Sequence, residues 1–274
     1  MNSYKIVASD LDGTLLNSEG VMSKENLEAI SSLCASGVLF VPASGRTLCE
    51  IPDDIKDNPN VRYIIHSSGA AVFDKITGKR ISFCFPKELF ESSLEILRNA
   101  DCHLTIRRHG KLYTSKETMN EESFCHYRVW AAHSQLLVEF AELIENFACN
   151  FIADDAVEMI SAFFHDDEEL TRVKETFLKN PEINVASACP HNIELTYAKA
   201  GKGNALRALA DSLSIPIEET IAMGDSENDL PMIKAAGIGL ATKDATESLK
   251  RSANEVICSN DEHVAKYVYE RYFQ

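Results

Sequence analysis

Two aspartates separated by one residue, Asp10 and Asp12, follow the first apolar run of the chain in the segment Asp-Leu-Asp-Gly-Thr-Leu. Carboxylates at positions i and i+2 of an ending strand can both face one site. There they repel each other unless one is protonated or a divalent cation lies between them. Gly13 permits a sharp turn, and Thr14 can hydrogen-bond within the loop. The alternative is an exposed turn, in which Asp-Gly pairs are common.

A second acidic segment, Gly-Asp-Ser-Glu-Asn-Asp, begins at Gly224 and also follows an apolar run. Asp225 and Asp229 could add oxygen ligands to the same cation, since Mg²⁺ prefers carboxylate, water and phosphate oxygens. The alternative is a helix N-cap formed by Ser226, Asn228 or Asp229. Capping is compatible with metal binding, so this alternative does not exclude a metal site.

Two further segments have the chemistry to hold an anion. Ser44, Gly45 and Arg46 follow an apolar run, and a hydroxyl with backbone N–H groups entering a helix can hold a phosphate. A plain strand-to-helix turn explains the same residues. Lys199 and Lys202 lie at the predicted start of a helix, where a positive charge is unfavourable unless an anion is near. The alternative is a solvated lysine.

These four segments need a sheet that brings the ends of its strands together. Short apolar runs at residues 5–9, 38–41 and 61–65 predict buried strands, and a helix is expected from Ser23 to Gly37. Alternating strands and helices return after Gly201. Continuous apolar strands alternating with helices predict an α/β fold with a parallel sheet covered on both faces. In such sheets the active crevice lies at the carboxyl ends of the strands.

The middle of the chain has a different pattern, with predicted hairpins at 71–83 and 103–114 and helical patterns at 87–99, 136–147 and 168–179. Hairpins mixed with helices indicate an antiparallel sheet with helices on one side. We therefore predict a discontinuous α/β core at residues 1–83 and 197–274 and an inserted α+β domain at residues 84–196.

Taken together, the segments resemble the four motifs of the haloacid dehalogenase (HAD) superfamily of phosphotransferases, which occur in the order acid pair, hydroxyl, lysine, acid cluster. The large insertion between the second and third motifs resembles the type IIB cap of the Cof-type phosphatases. The resemblance implies a Rossmann-like HAD core and a cap domain that determines substrate specificity.

The resemblance also implies a role for each motif residue. Asp10 would be the nucleophile that forms an aspartyl-phosphate, and Asp12 the general acid and then the general base. Mg²⁺ would be held by Asp10, the backbone carbonyl of Asp12 and Asp225. Ser44 and Lys202 would bind the phosphoryl oxygens, with Lys199 as the alternative to Lys202.

Further motif positions would surround these residues. Ser68 stands where the subfamily carries asparagine, and this departure bears on the substrate. The remaining implied roles are orientation of the lysine or of metal-bound water by Asn228 and Asp229, and substrate binding by Gly45, Arg46, Ser68 and Gly69.

Composition limits the classes of partner. The 27 Lys and Arg against 42 Asp and Glu give a net charge of −15, which opposes binding to nucleic acid or anionic membranes. No apolar run approaches the roughly 18 residues of a membrane span. Eight cysteines without a C-x-x-C pair, and a start without a signal peptide, predict reduced thiols in a cytoplasmic protein.

The predicted function is Mg²⁺-dependent hydrolysis of a phosphomonoester, with a small metabolite such as a sugar phosphate as substrate. Residues 101–133 hold five Lys or Arg, four acids and four of the eight histidines, which indicates either a face that attracts an anion or a local fluctuation. A phosphomutase with the same type of cap and a non-catalytic ligand sensor are the alternatives. The sequence leaves the substrate and the oligomeric state open.

Overall fold

The structure is a computed structural model that describes residues 4–151, 154–187 and 189–274, apart from the side chains of residues 148 and 149. The strands in these ranges are β1 (Ile6–Ser9), β2 (Leu39–Pro42), β3 (Tyr63–His66), β4 (Ala71–Asp74), β5 (Arg80–Ser82), β6 (Cys102–Arg108), β7 (Lys111–Ser115), β8 (Ala141–Ile144), β9 (Val157–Phe164), β10 (Ile183–Ala186), β11 (Asn192–Tyr197), β12 (Thr220–Gly224), β13 (Ile238–Ala241) and β14 (Glu255–Val256). The helices are α1 (Lys24–Ala35), α2 (Asp53–Lys56), α3 (Lys87–Arg98), α4 (Glu121–His126), α5 (Ala131–Phe140), α6 (Phe147–Asn150), α7 (Asp167–Leu178), α8 (Lys202–Ser212), α9 (Leu230–Ala235), α10 (Glu247–Ser252) and α11 (Val264–Tyr272).

The chain divides into two compact units. The first contains the described residues up to Gly45, Ile51–Ile81 and Gly201–Gln274. The second contains Ser82–Ala200 together with the short segment Arg46–Glu50. The predicted insertion covered residues 84–196, and it did not include Arg46–Glu50.

A five-stranded parallel sheet with the order β14-β13-β12-β1-β2 forms the centre of the first unit. β1 and β12 are buried along their whole length, so both faces of the sheet are covered, as the continuous apolar runs predicted. Helix α1 packs against α11, and α8 packs against α9. The predicted start of α1 is confirmed, because the Ser23 hydroxyl accepts a hydrogen bond from Asn26 N at 3.2 Å.

The third apolar run does not join this sheet, although the sequence pattern placed it there. It forms β3 of a separate sheet with the order β3-β4-β5, in which β3 and β4 are antiparallel. One parallel bridge, between Ala43 and Ile65, connects the end of β2 with β3. An apolar run shows that a strand is buried but not which neighbour it pairs with, and this caused the error.

A six-stranded sheet with the order β10-β11-β9-β6-β7-β8 dominates the second unit. Its pairings are antiparallel except that of β7 with β8. One face carries an apolar core in which Leu104 and Ile160 lie with residues of α3 and α7, such as Leu94 and Phe177. This mixture of antiparallel strands and helices is the predicted α+β insertion.

The alternate side chains of β6 are polar and nevertheless buried: His103, Thr105 and Arg107 are at most 5% exposed. Arg107 forms an ion pair with Glu50, whose carboxylate oxygens lie 3.3 and 3.4 Å from the guanidinium nitrogens. Its remaining terminal nitrogen donates to Ser161 Oγ at 2.8 Å. Arg46–Glu50 is therefore fixed to the second unit by a buried charge pair.

The predicted helix at 136–147 is partly wrong. Helix α5 ends at Phe140, and the next four residues form β8 beside β7. The free edge of β7 offers backbone partners, and this tertiary pairing overrides the local helical pattern. Within the described ranges, every helix is too short or too polar to cross a bilayer.

Candidate active site

The loops that follow three neighbouring parallel strands carry the acidic and hydroxyl residues. Asp10 follows β1, Ser44 lies just beyond β2, and Asp225 follows β12. Because β2, β1 and β12 are adjacent and parallel, these loops leave the sheet at the same edge. The backbone N–H of Asp10 donates to Met223 O at 3.0 Å, which joins the first loop to β12.

The loop after β1 turns tightly against Asp225. Gly13 has φ +76°, and a Cβ atom there would lie 2.6 Å from Asp225 Oδ2, so the turn requires glycine. The Thr14 hydroxyl donates to Asp225 Oδ1 at 3.2 Å. Asp10 is 5% exposed, whereas the side chain of Asp12 is exposed to solvent. The two aspartates therefore have different environments, as distinct roles would require.

Asp229 is a buried link between the loop after β12 and the lysine at the start of α8. Its Oδ2 accepts the backbone N–H groups of Asp225 and Ser226, each at 3.1 Å, and the contact with Ser226 is part of a capping box in which Ser226 is the N-cap. Its Oδ1 lies 2.6 Å from Lys202 Nζ. Asn228 is exposed, and its side chain accepts a hydrogen bond from Ser226 Oγ at 2.8 Å.

Lys202 is the lysine that reaches the acidic cluster. Its side chain is 1% exposed, and its Nζ lies 2.6 Å from Asp10 Oδ1 as well as from Asp229 Oδ1. Lys199 is exposed, with its Nζ 5.8 Å from the centre of the Tyr197 ring. The geometry thus separates the two lysines that the sequence left as alternatives.

The buried acidic cluster carries more negative than positive charge. Burial and the repulsion of Asp229 raise the pKa of Asp10 well above its usual range, although Lys202 opposes this. Burial also raises the pKa of Asp225. For Lys202, burial lowers the pKa, but the attraction of Asp10 and Asp229 outweighs burial and holds the pKa above its ordinary value. Among the described residues of this cluster, three carboxylates share one ammonium.

These residues fit a divalent cation. The carboxylate oxygens of Asp10, Asp225 and Asp229 lie within 4.8 Å of one another, and all are hard oxygen donors. Both oxygens of Asp229 already accept hydrogen bonds, which leaves Asp10 and Asp225 as the better ligands. A cation would relieve the repulsion that raises the pKa values of these two aspartates.

Ser44 is linked to the start of α8 through the loop after β3, which contacts Ser44 on one side and the backbone of Gly201 on the other. Ser44 is 1% exposed, and its carbonyl accepts the N–H of Ser68 at 3.0 Å. Gly69 has φ +85°, and a Cβ atom on it would lie 2.2 Å from the carbonyl carbon of Gly201 and 2.5 Å from Lys202 N. Gly69 therefore lets the loop after β3 touch the backbone that presents Lys202.

Two of the predicted substrate-binding residues, Gly45 and Arg46, belong to different units. Gly45 lies beside Ser68, since a Cβ on Gly45 would be 3.4 Å from Ser68 Oγ. Arg46 belongs to the second unit, where one guanidinium nitrogen donates to Glu50 O at 3.2 Å. Ser67 and Ser68 both have a left-handed backbone, with φ of 50° and 54°. Nothing in the local sequence predicts this conformation, which asparagine adopts more readily than serine.

The model of the haloacid dehalogenase-like hydrolase family matches residues 7–268. The chain belongs to this family. The HAD assignment from the four motifs is thereby confirmed. The chain is 30% identical to the phosphatase YwpJ of Bacillus subtilis, over 94% of this chain and 96% of the relative. It is also 30% identical to the 5-amino-6-(5-phospho-D-ribitylamino)uracil phosphatase YwtE of B. subtilis, over 96% of both proteins.

The solved structures agree with this assignment. A sugar phosphatase of HAD subclass IIB shares the fold of this HAD protein with a TM-score of 0.77, at 20% identity and over 98% of each chain. The α/β core with an added α+β unit is therefore a fold that this chain shares with that sugar phosphatase. With phosphatases among its relatives along almost the whole chain, this HAD protein is a phosphatase.

Proposed function

We propose that the protein is a Mg²⁺-dependent phosphomonoesterase that acts on a small phosphorylated metabolite through an aspartyl-phosphate on Asp10. The observation that carries this proposal is the contact of Lys202 Nζ with Asp10 Oδ1 at 2.6 Å. A buried ammonium beside a carboxylate lowers the repulsion that a phosphate dianion would meet there. The same ammonium can then hold a phosphoryl oxygen.

In the first step, a carboxylate oxygen of Asp10 attacks phosphorus as the bond from phosphorus to the leaving alkoxide breaks. The carboxyl of Asp12 gives its proton to that alkoxide. This role suits Asp12, because its side chain is exposed and lies outside the group formed by Asp10, Asp225 and Asp229.

In the second step, the Asp12 carboxylate takes a proton from water, and the water oxygen attacks phosphorus. The bond between phosphorus and Asp10 breaks, which releases phosphate and restores both aspartates. Ser44 would hold a phosphoryl oxygen together with Lys202. Asp229 would keep Lys202 in place, since its other oxygen is fixed by two backbone N–H groups.

Mg²⁺, bound by Asp10, the backbone carbonyl of Asp12 and Asp225, would supply the charge that neutralises the phosphoryl group. The raised pKa values of Asp10 and Asp225 support this role, because they indicate a demand for positive charge. Oxygen ligands favour Mg²⁺ over softer metals.

The substrate class that we propose is supported by the name of one relative. The relative YwtE is named for a substrate that carries its phosphate on a ribityl chain. We therefore propose a sugar phosphate or a similar phosphorylated polyol as the substrate of this chain. The second unit would determine which leaving group is accepted.

The test is phosphate release from a panel of phosphorylated sugars and polyols by the purified protein with Mg²⁺. The wild type should release phosphate without a bisphosphate activator, and Asp10→Asn should abolish release. Asp211→Asn is the matched control, because Asp211 is an exposed residue of α8 and its removal should leave activity unchanged. Activity retained by Asp10→Asn would refute the mechanism, and a strict need for a bisphosphate would indicate a phosphomutase.

A further inference from the structure

A second group of potential metal ligands lies wholly within the second unit, far along the chain from the HAD motifs. Asp101 directly precedes β6, His165 directly follows β9, and His126 is the last residue of α4. Strands β6 and β9 are antiparallel neighbours, and Cys102 pairs with Phe164. The register therefore puts Asp101 and His165 at the same end of the strand pair.

The three side chains converge. The imidazole rings of His126 and His165 are stacked, with centroids 4.5 Å apart and planes inclined by 23°. His165 Nδ1 lies 3.4 Å from Asp101 Oδ2. One donor atom from each of the three residues lies within 4.8 Å of the others. Donor atoms around a tetrahedral Zn²⁺ are roughly 3.3 Å apart when the bonds to the metal are about 2.0 Å long. Small side-chain rotations would therefore bring the three donor atoms to coordination distance.

A tyrosine fixes the carboxylate of this group. The Tyr127 hydroxyl donates to Asp101 Oδ1 at 2.8 Å, which leaves Oδ2 directed at His165. Metal-binding carboxylates in proteins are commonly held by such an outer hydrogen bond.

The histidine nitrogen that faces this carboxylate is unsatisfied in the described part of the chain. His165 Nδ1 is shielded from solvent, and the geometry of its contact with Asp101 does not meet the requirements of a hydrogen bond. A shielded polar atom without a partner is costly. A metal ion that accepts the nitrogen lone pair would remove this cost.

We propose that Asp101, His126 and His165 bind a divalent transition-metal ion, Zn²⁺ by the chemistry of its ligands. Two imidazoles and one carboxylate suit Zn²⁺ and its neighbours in the first transition row, whereas Mg²⁺ requires oxygen ligands. Three protein ligands leave a position open to water. The ion would join the end of α4 to the β6–β9 pair and stabilise the second unit, independently of the phosphatase reaction.

The test is a titration of the full-length protein with Co²⁺, the spectroscopic substitute for Zn²⁺, in excess Mg²⁺. The wild type should bind one Co²⁺ with visible absorption bands, and Zn²⁺ should abolish these bands by displacement. The double variant His126→Ala/His165→Ala should lose them. Tyr127→Phe should weaken Co²⁺ binding by about tenfold, because it only removes the outer hydrogen bond.

Two control variants make the result specific. His109→Ala removes an exposed histidine of the same unit that contacts Asp154 at 3.2 Å, and it should leave Co²⁺ binding unchanged. Asp225→Asn weakens the acidic cluster of the first unit and should also leave the bands intact. Circular dichroism establishes that each variant is folded. Absence of the bands in the wild type, their loss in Asp225→Asn, or their persistence in the double histidine variant would overturn the proposal.

Discussion

The ammonium of Lys202 lies 2.6 Å from a carboxylate oxygen of Asp10, although the two residues are 192 positions apart in the chain. Both side chains are almost completely buried, at 1% and 7% exposure. Asp229 completes the contact from the other side, also at 2.6 Å. The pair therefore joins the two parts of the α/β unit that precede and follow the insertion in the sequence.

Replacement of Lys202 by methionine should remove phosphatase activity and destabilise the first unit. The variant leaves two buried carboxylates without their cation, and breaking such a cluster costs about 3–5 kcal/mol. Urea unfolding and phosphate release measure the two effects. Lys199→Met, at the exposed lysine three positions earlier, should match the wild type in both. A Lys202→Met protein that is as stable and active as the wild type would show that Lys202 is not part of the active site.

Mg²⁺ binding should weaken as the pH falls. The pKa values of Asp10 and Asp225 are raised, and each carboxyl must lose its proton before it can bind a cation. Below the raised pKa values, Mg²⁺ affinity should fall by up to about tenfold per pH unit for each proton released. Calorimetric titration with Mg²⁺ at several pH values measures this, and chelation of the metal should stop phosphate release. An affinity that is constant with pH would refute the proton coupling.

Gly69→Ala should be much more harmful than Gly78→Ala. Both glycines have a positive φ, of +85° and +70°, so each substitution carries a backbone cost of about 1–2 kcal/mol. A Cβ at Gly69 would also lie 2.2 Å from the Gly201 carbonyl carbon, whereas a Cβ at Gly78 meets no atom within 4 Å. This overpacking should destabilise the Gly69→Ala variant by a further ~1–3 kcal/mol, and it should displace Lys202 and lower the phosphatase activity. Equal stability and activity of the two variants would show that the close approach is absent.

The second unit should lose stability between pH 7 and pH 5. Burial lowers the pKa of His103 to about 4 and that of His133 to about 3. The unfolded chain takes up protons near pH 6.5 while the folded histidines stay neutral, so stability is present above this pH and decreases as the pH falls. Each histidine should account for roughly 2 kcal/mol at pH 5.

Urea unfolding at pH 7 and pH 5 measures this effect. Trp130 is the single tryptophan and lies in the second unit, so its fluorescence reports that unit, with circular dichroism as a second probe. His133→Gln should remove about half of the pH dependence. His109→Gln, at an exposed position, should not change it. Equal stability of the wild type at both pH values would contradict the prediction.

The sequence predicted the parts of the fold that depend on local signals. The N-cap at Ser23, the buried strands before the motifs, and the two-part architecture all follow from residue type and spacing. The motif order also predicted that the acids and a lysine would meet, because parallel strands share one edge. The family resemblance favoured Lys202 over Lys199 because Lys202 directly precedes Gly203, but only the fold shows that Lys202 is buried against the acids while Lys199 is exposed.

Other features depend on partners that are distant in the chain. Residues 141–144 become a strand only because β7 offers an edge, and β3 leaves the parallel sheet to pair with β4. The buried pair of Glu50 and Arg107 connects residues 57 positions apart. Nothing in the local sequence around Glu50 indicates that its carboxylate will be buried with an arginine.

The assignment of Arg46–Glu50 to the second unit has a consequence for protein engineering. Ser44 and Gly45 belong to the first unit, so the chain passes between the units four times rather than twice. A chimera made by exchanging only Ser82–Ala200 with a relative would separate Glu50 from Arg107 and Thr47 from Glu158. The recombination module that can be transferred intact consists of two pieces, and the smaller one is five residues long and begins at Arg46, directly after Gly45 of the first unit.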